Sequence, residues 1–260
     1  MPTDRPERDA AAAPETSEAG LAERLAPSAG APGERRYAVK ALWRTVQGEG
    51  FWAGRPAVFV RLAGCNLWSG RDEDRARDAE RHGNACALWC DTDFAPEGAV
   101  KLTARALADE VLRVAGPVRF CVLTGGEPLL QADGPLVDAL RQRGFFVAVE
   151  TNGTQRLADA FGADPAGWPH WVACSPKLPE DRLPLEACDE LKLVVPDYRP
   201  GAYRALAARV RPRPDGRRLL WLQPEDGPRV REATRLALDL VFEDPRWRVS
   251  VQTHKALGVD

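Results

Sequence analysis

The sequence predicts an α/β domain whose sheet is predominantly parallel and covered by helices. Two observations carry that class. From Tyr37 onward, short apolar runs alternate with amphipathic stretches, and the runs are nearly continuous, as strands buried on both faces must be. The runs also end repeatedly in polar motifs at their carboxyl ends, where parallel α/β folds gather their active sites.

Residues 1–36 are Ala-, Pro-, Glu- and Arg-rich without hydrophobic periodicity, and are read as a disordered N-terminal tail. They lack the apolar stretch of a signal peptide, and their acidic residues do not fit a transit peptide. Residues 37–260 form the core domain. Strands are expected at Tyr37–Leu42, Ala57–Leu62, Phe120–Leu123, Phe145–Val149, Trp171–Cys174, Glu190–Val195, Leu219–Leu222 and Arg248–Gln252. Helices are expected at Thr103–Val114, with Thr103 as N-cap, and at Pro135–Arg143 and Arg231–Phe242.

The second strand runs into a cysteine, and the third into TGGEP (Thr124–Pro128). The next two run into ETNGT (Glu150–Thr154) and SPK (Ser175–Lys177). The last two run into QPEDG (Gln223–Gly227) and THK (Thr253–Lys255). Motifs gathered at one end of the sheet imply one shared site.

Composition excludes several classes. The 260 residues suffice for one sizeable core, and a net charge of −2 gives no electrostatic support for a nucleic-acid partner. No apolar run approaches a membrane span. Six cysteines in such a chain do not make a secreted disulfide scaffold, and a reducing cytoplasm is expected. Cys121, Cys174 and Cys188 stand singly in apolar surroundings and read as packing.

Cys65, Cys86 and Cys90 crowd one segment, with His82 between the first two in an Arg/Asp-rich insert. Two chemistries compete: a Cys₃His structural zinc, or an iron–sulfur cluster held by thiolates only. The insert reads as a mobile loop on the surface, and a histidine there is expected to be solvated.

GCNLW at Gly64–Trp68, WCDT at Trp89–Thr92 and TGGEP at Thr124–Pro128 resemble the radical S-adenosylmethionine enzymes, with three cluster cysteines after one strand and a Gly-Gly-Glu-Pro turn after the next. Paired glycines allow close backbone approach to a cofactor, because no Cβ intervenes. Within that superfamily the chain resembles the 7-carboxy-7-deazaguanine synthases from Tyr37 to its end. TVQGEG (Thr45–Gly50), GRPAVFVRLAGCNLWSGR (Gly54–Arg71), CDTDF (Cys90–Phe94), LQPEDG (Leu222–Gly227) and VQTHK (Val251–Lys255) carry the resemblance, with TGGEPLLQ, ETNGT and SPK.

The resemblance implies an incomplete (β/α)6 barrel that forms a homodimer. It implies ring contraction of 6-carboxy-5,6,7,8-tetrahydropterin to 7-carboxy-7-deazaguanine with loss of ammonia, an early step toward queuosine. The implied cofactors are a 4Fe-4S cluster, S-adenosylmethionine and Mg2+, with a reductant such as flavodoxin or ferredoxin. Cys65, Cys86 and Cys90 would hold the cluster, and Thr92 the magnesium. Trp89, Cys90, Asp91, Gly126, Ser175, Pro176, Lys177, Gln223, Pro224, Glu225 and Asp226 would bind S-adenosylmethionine. Val46, Gln47, Gly48, Arg61, Thr124 and the C-terminal Asp260 would bind substrate. The Arg61 fork suits a carboxylate. Glu150 and Asn152 are expected to line the pocket without assigned roles.

Two features depart from the pattern. The first cysteine gap is unusually long, and CALWC is C-x₃-C where the group has C-x₂-C, so a bulge or reset turn must absorb one residue. The rival functions are a different radical enzyme, such as a glycyl-radical activase, and a non-catalytic zinc-stapled binding protein.

Overall fold

A computed structural model describes residues 33–259. Most of the expected tail, residues 1–32, and Asp260 lie outside the described residues. The described strands form a nine-stranded open sheet of order β3-β1-β2-β4-β5-β6-β7-β8-β9. They are β1 (Arg36–Val46), β2 (Pro56–Leu62), β3 (Val100–Thr103), β4 (Phe120–Gly125), β5 (Phe146–Thr151), β6 (Trp171–Cys174), β7 (Glu190–Val195), β8 (Leu219–Pro224) and β9 (Trp247–Val249). From β2 to β9 every pairing is parallel, whereas β1 runs antiparallel to both β2 and β3.

Seven α-helices are described: α1 (Arg75–His82), α2 (Ala104–Ala115), α3 (Gly134–Arg141), α4 (Leu157–Phe161), α5 (Arg204–Arg209), α6 (Val230–Glu243) and α7 (Thr253–Leu257). The expected Thr103 cap forms, and a second cap, not expected from the sequence, starts α3. The Thr103 side chain accepts from Ala106 N–H at 3.3 Å, and Asp133 caps α3 by accepting from Leu136 N–H at 3.1 Å. On α2, Leu107, Ala108, Val111 and Ala115 recur at helical spacing and are all buried against the sheet.

Strand periodicity sorts the two faces. Val58, Val60 and Leu62 of β2, Cys121 and Leu123 of β4, and Val147 and Val149 of β5 pack under the helices. The alternate residues, Ala57, Phe59, Phe120, Val122 and Ala148, form a second cluster with Trp43, against which Trp52, Phe146 and Trp171 pack. Arg55 caps this aromatic floor, 4.4 Å from the Trp52 ring and 4.3 Å from Phe120. Continuing the same alternation toward the strand ends brings Arg61, Thr124 and Glu150 onto that second face. The apolar floor thus gives way to polar groups at the carboxyl ends.

Three differences from the sequence reading have physical reasons. Edge strand β3 was not expected: four residues carry too little periodicity to be seen, and pairing with β1 defines it. The last strand is Trp247–Val249 rather than Arg248–Gln252, because Ser250 and Gln252 turn their side chains to bonds with the Gly48–Gly50 loop and its neighbours. The charged insert is an ordered helix, α1, rather than a mobile loop. Arg75–Asp72 and Arg77–Asp74 ion pairs brace its start, and Gly83, at φ 64°, ends it in the left-handed conformation. No described helix is long and apolar enough to cross a membrane.

Candidate active site

Two adjoining cavities of about 370 and 250 Å³ lie where the strands end. Glu49, Asp91, Thr92, Thr124, Glu150 and Gln252 line both, so they are two chambers of one site.

The larger chamber takes Val46, Gln47, Gly48, Arg61 and Thr124 from the expected substrate set. Arg61 and Thr124 are register partners across β2 and β4, which sets their side chains side by side. The Arg61 guanidinium lies 4.9 Å from the Trp43 ring centroid, packed over an aromatic face. Gln47 is buried and spans the chamber wall: its amide donates to Glu150 at 2.9 Å and its carbonyl accepts from Glu49 N–H at 3.0 Å. Burial raises the Glu150 carboxyl above the ordinary glutamate range, while the Gln47 donor pulls the other way.

The turn carrying Gln47 is closed by the far end of the chain. Gly48 O accepts from Thr253 N–H at 2.9 Å and from its hydroxyl at 3.0 Å. A Cβ on Gly48 would lie 1.8 Å from His254 Nδ1, so only glycine admits that ring. Glu49 draws two strands and the C-terminal segment together. It pairs with Lys192 of β7 and accepts from Gln223 of β8 at 2.9 Å and from Gln252 at 2.8 Å. Two motifs some two hundred residues apart, QGEG and QTHK, are one structural unit.

The smaller chamber takes Cys65, Cys86, Trp89, Cys90, Gly126, Ser175, Lys177 and Gln223. Cys65 follows β2. Cys86 opens a 3₁₀ turn, and Cys90 N–H donates to Cys86 O at 2.8 Å. That i to i+4 bond makes the segment one helical turn, on which residues four apart share a face. The extra residue of CALWC is therefore absorbed within the turn, and all three thiols line one cavity. Burial pushes the Cys65 thiol up and the Cys86 thiol to about 12; the nearby Lys177 ammonium opposes the Cys86 rise. Burial lowers the Lys177 ammonium while the nearby Cys86 and Cys90 sulfurs oppose that fall, and Lys177 donates to Ser175 Oγ at 2.6 Å.

The paired glycines have a reason inside the protein as well. A Cβ on Gly125 would lie 2.2 Å from Leu62 O, and one on Gly126 2.5 Å from both Gly64 O and the Cys65 Cβ. The turn after β4 thus packs against the backbone that presents the first cysteine. Glu127, fully buried, ties it to β5 by accepting from Asn152 N–H at 2.7 Å and the Thr151 hydroxyl at 2.9 Å.

Pro176, Pro224, Glu225 and Asp226 line neither chamber. Pro176 is buried beneath the SPK turn, and Pro224 ends β8. Glu225 is held by Arg229 at 2.5 Å, and Arg229 also grips Asp197, which accepts from Trp89 Nε1 at 2.9 Å. Asp226 pairs at 2.5 Å with Lys255, which also reaches Asp91 at 3.4 Å. Thr92 and Asp91 stand on the wall between the chambers. Among the described residues no three His, Cys, Asp or Glu side chains form a group that could hold a single metal ion, and His82, the fourth ligand of the zinc reading, lines neither chamber.

Sequence reasoning missed the structural weight of Glu49, Gln252 and His254, although each sits inside a quoted motif. The available signal was a repeated acid-and-amide pairing, Gln-Gly-Glu at one end of the chain and Gln-Thr-His-Lys at the other.

No family model matches the chain. Among curated proteins, it is similar to the 7-carboxy-7-deazaguanine synthase of Bradyrhizobium diazoefficiens, 45% identical over 232 residues, spanning 86% of this chain and 99% of that protein. The synthase of Bordetella pertussis is 44% identical over 234 residues, with the same coverage of 86% and 99%. A crystal structure of QueE from Escherichia coli matches with a TM-score of 0.58 at 27% identity, covering 84% of this chain and 94% of that one.

Proposed function

The chain belongs to the 7-carboxy-7-deazaguanine synthase family, and from that premise we propose that it converts 6-carboxy-5,6,7,8-tetrahydropterin to 7-carboxy-7-deazaguanine. The reaction is a ring contraction with release of ammonia, a carbon–nitrogen lyase step toward queuosine. The observation that carries this reading is the pair of joined chambers: one lined by three thiols and a glycine turn, the other by an arginine and an amide–carboxylate wall.

The residues present fit a 4Fe-4S cluster. Three thiols share one cavity, and that cavity also meets Gly126 at the turn expected to bind S-adenosylmethionine. Cys65, Cys86 and Cys90 would hold the cluster, with Ser175, Lys177 and Gln223 toward the nucleoside. When bound, the reduced cluster and S-adenosylmethionine supply a 5′-deoxyadenosyl radical able to take hydrogen from the pterin. The chain's own residues bind, orient and shield. Arg61 pairs the substrate carboxylate through its planar fork. Gln47 and the backbone of Val46 and Gly48 read the pterin edge, and Thr124 and Glu150 bound the chamber where the reacting carbon lies. Thr92, on the shared wall, would hold Mg2+, for which oxygen ligands are the ordinary choice. Glu225 and Asp226 act from outside: Glu225 fixes Arg229, which grips the Asp197 partner of Trp89, and Asp226 pairs with Lys255 on the wall of the larger chamber.

The parallel strands β2, β4, β5, β6, β7 and β8 are read as the six strands of an incomplete (β/α)6 barrel. The protein works as a cytoplasmic homodimer, reduced by a flavodoxin or ferredoxin. The test is anaerobic iron–sulfide reconstitution followed by incubation with S-adenosylmethionine, dithionite and 6-carboxytetrahydropterin. Product with the mass and absorbance of 7-carboxy-7-deazaguanine supports the reading. A reconstituted protein that cleaves S-adenosylmethionine yet leaves the pterin intact would overturn the substrate assignment; zinc without iron or sulfide would overturn the cluster.

A further inference from the structure

We propose that Arg75, in the charged insert between Cys65 and Cys86, is a positioning residue that holds the cysteine loop in ligating shape before any cluster arrives. The inference deepens the cluster reading above and rests on it. Four contacts converge on one guanidinium. Nη1 donates to Ala87 O at 2.8 Å and Nη2 to Cys90 O at 3.0 Å. Nε donates to Asp72 at 2.8 Å, and the guanidinium lies 4.1 Å from the Trp68 ring centroid. Ala87 and Cys90 belong to the turn that carries the second and third cysteines. Trp68 stands three residues after the first. One side chain therefore joins the segments that present all three thiols.

The chemistry suits an arginine. Carbonyls at the end of a helical turn have no partner within it, and a planar fork reaches two of them while its face stacks on an indole. An ammonium would satisfy one at a time. The rest of α1 aims the clasp. Asp78, buried one turn along, accepts from Ser69 N–H at 2.8 Å, and Asp74 accepts from the Ser69 hydroxyl at 2.8 Å. The helix is thereby stitched to the Cys65 loop before Arg75 reaches across. A ligand loop left loose must be ordered when its cluster binds, at a cost in chain entropy. Here the insert has already ordered it. The same clasp secures the Cys86–Cys90 turn that accommodates the longer cysteine spacing.

The experiment compares the full-length wild type with Arg75→Ala, Arg75→Lys and Arg81→Ala. Arg81 lies exposed in the last turn of the same helix, away from the clasp. In the metal-free Arg75→Ala protein, the amides of Leu88, Trp89 and Cys90 should exchange with solvent roughly a hundred-fold faster or more, the effect of losing two charge-assisted hydrogen bonds. Reconstituted Arg75→Ala should lose iron to a chelator faster by a similar factor. Arg75→Lys should not restore either property, and Arg81→Ala should match the wild type. Wild-type exchange and iron retention in Arg75→Ala would overturn the proposal. So would an equal loss in Arg81→Ala, or full rescue by lysine. A wild-type protein that takes up no iron would sink the cluster reading instead, and the exchange comparison would still decide whether Arg75 holds the loop. If Arg75→Ala does not fold, Arg75→Lys, which keeps the stem and charge, carries the same comparison.

Discussion

Glu127 sits in the GGEP turn with no solvent access, and its oxygens accept from Leu129 N–H at 2.9 Å, Asn152 N–H at 2.7 Å and the Thr151 hydroxyl. Burial pushes its carboxyl from 4.5 up to about 7, against the pull of those donors. Between these values the folded protein holds a proton that the unfolded chain has released. The group's contribution is therefore full below pH 4.5 and lost as pH rises through about 7. At about 1.36 kcal/mol for each pKa unit, the window is worth about 3 kcal/mol. Glu127→Gln removes the titration while keeping the shape. Urea unfolding of wild type and variant, both metal-free, should be followed from about pH 4 to about pH 8. The stability difference should move by about 3 kcal/mol in the variant's favour as pH rises across the window. Other titrating groups are common to both proteins and cancel. A difference that stays level with pH would refute the reasoning, because Glu127 would then ionise alike in the folded and unfolded states.

Gly48→Ala should displace α7, since the new Cβ would lie 1.8 Å from His254 Nδ1 and 2.9 Å from its Cβ. With both hydrogen bonds from Thr253 to Gly48 O lost, the C-terminal segment should undock at a cost of about 2 kcal/mol, visible as faster proteolysis there and a raised KM. Cys65→Ala, Cys86→Ala and Cys90→Ala should each abolish iron and sulfide retention after reconstitution, whereas Cys188→Ala should retain both. Arg61→Ala should raise KM for the carboxytetrahydropterin at least ten-fold with iron content unchanged, and Arg61→Lys should recover only part of the loss, since a point charge replaces a fork.

The layout of the site was legible in the sequence because parallel strands put their loops at one end. TGGEP, ETNGT and SPK were placed there by strand periodicity alone, and the structure sets all three around one cavity. What was not legible came from contacts made across the chain. No local pattern announces that Glu49 will meet Lys192, Gln223 and Gln252, because those partners come from separate strand ends and loops. The insert was misread for a related reason. Its Arg/Asp composition looks like solvated loop, yet Asp78 is buried because Ser69 N–H and Arg77 give it partners.

The two chambers differ in what holds them, and this decides how each should fail. The cysteine segment of the thiol chamber is braced mainly by contacts of short reach, Arg75 to Ala87 and Cys90 and Asn84 to Leu67 at 3.3 Å, with Trp89 to Asp197 as its long tie to the sheet. The substrate chamber rests on contacts of long reach, Gln47 to Glu150, Glu49 to Gln252, and Gly48 to Thr253. Local contacts re-form whenever their segment is folded, whereas long-reach contacts at a chain end open at a lower free energy than the core. The C-terminal segment is therefore the part that can release without unfolding the sheet, and its release would empty the substrate chamber while leaving the three thiols in place. A protein that retained its iron but lost its affinity for pterin would be the signature of that separation. Of the six wall residues common to both chambers, Thr92, Thr124 and Glu150 are then where the two halves must communicate.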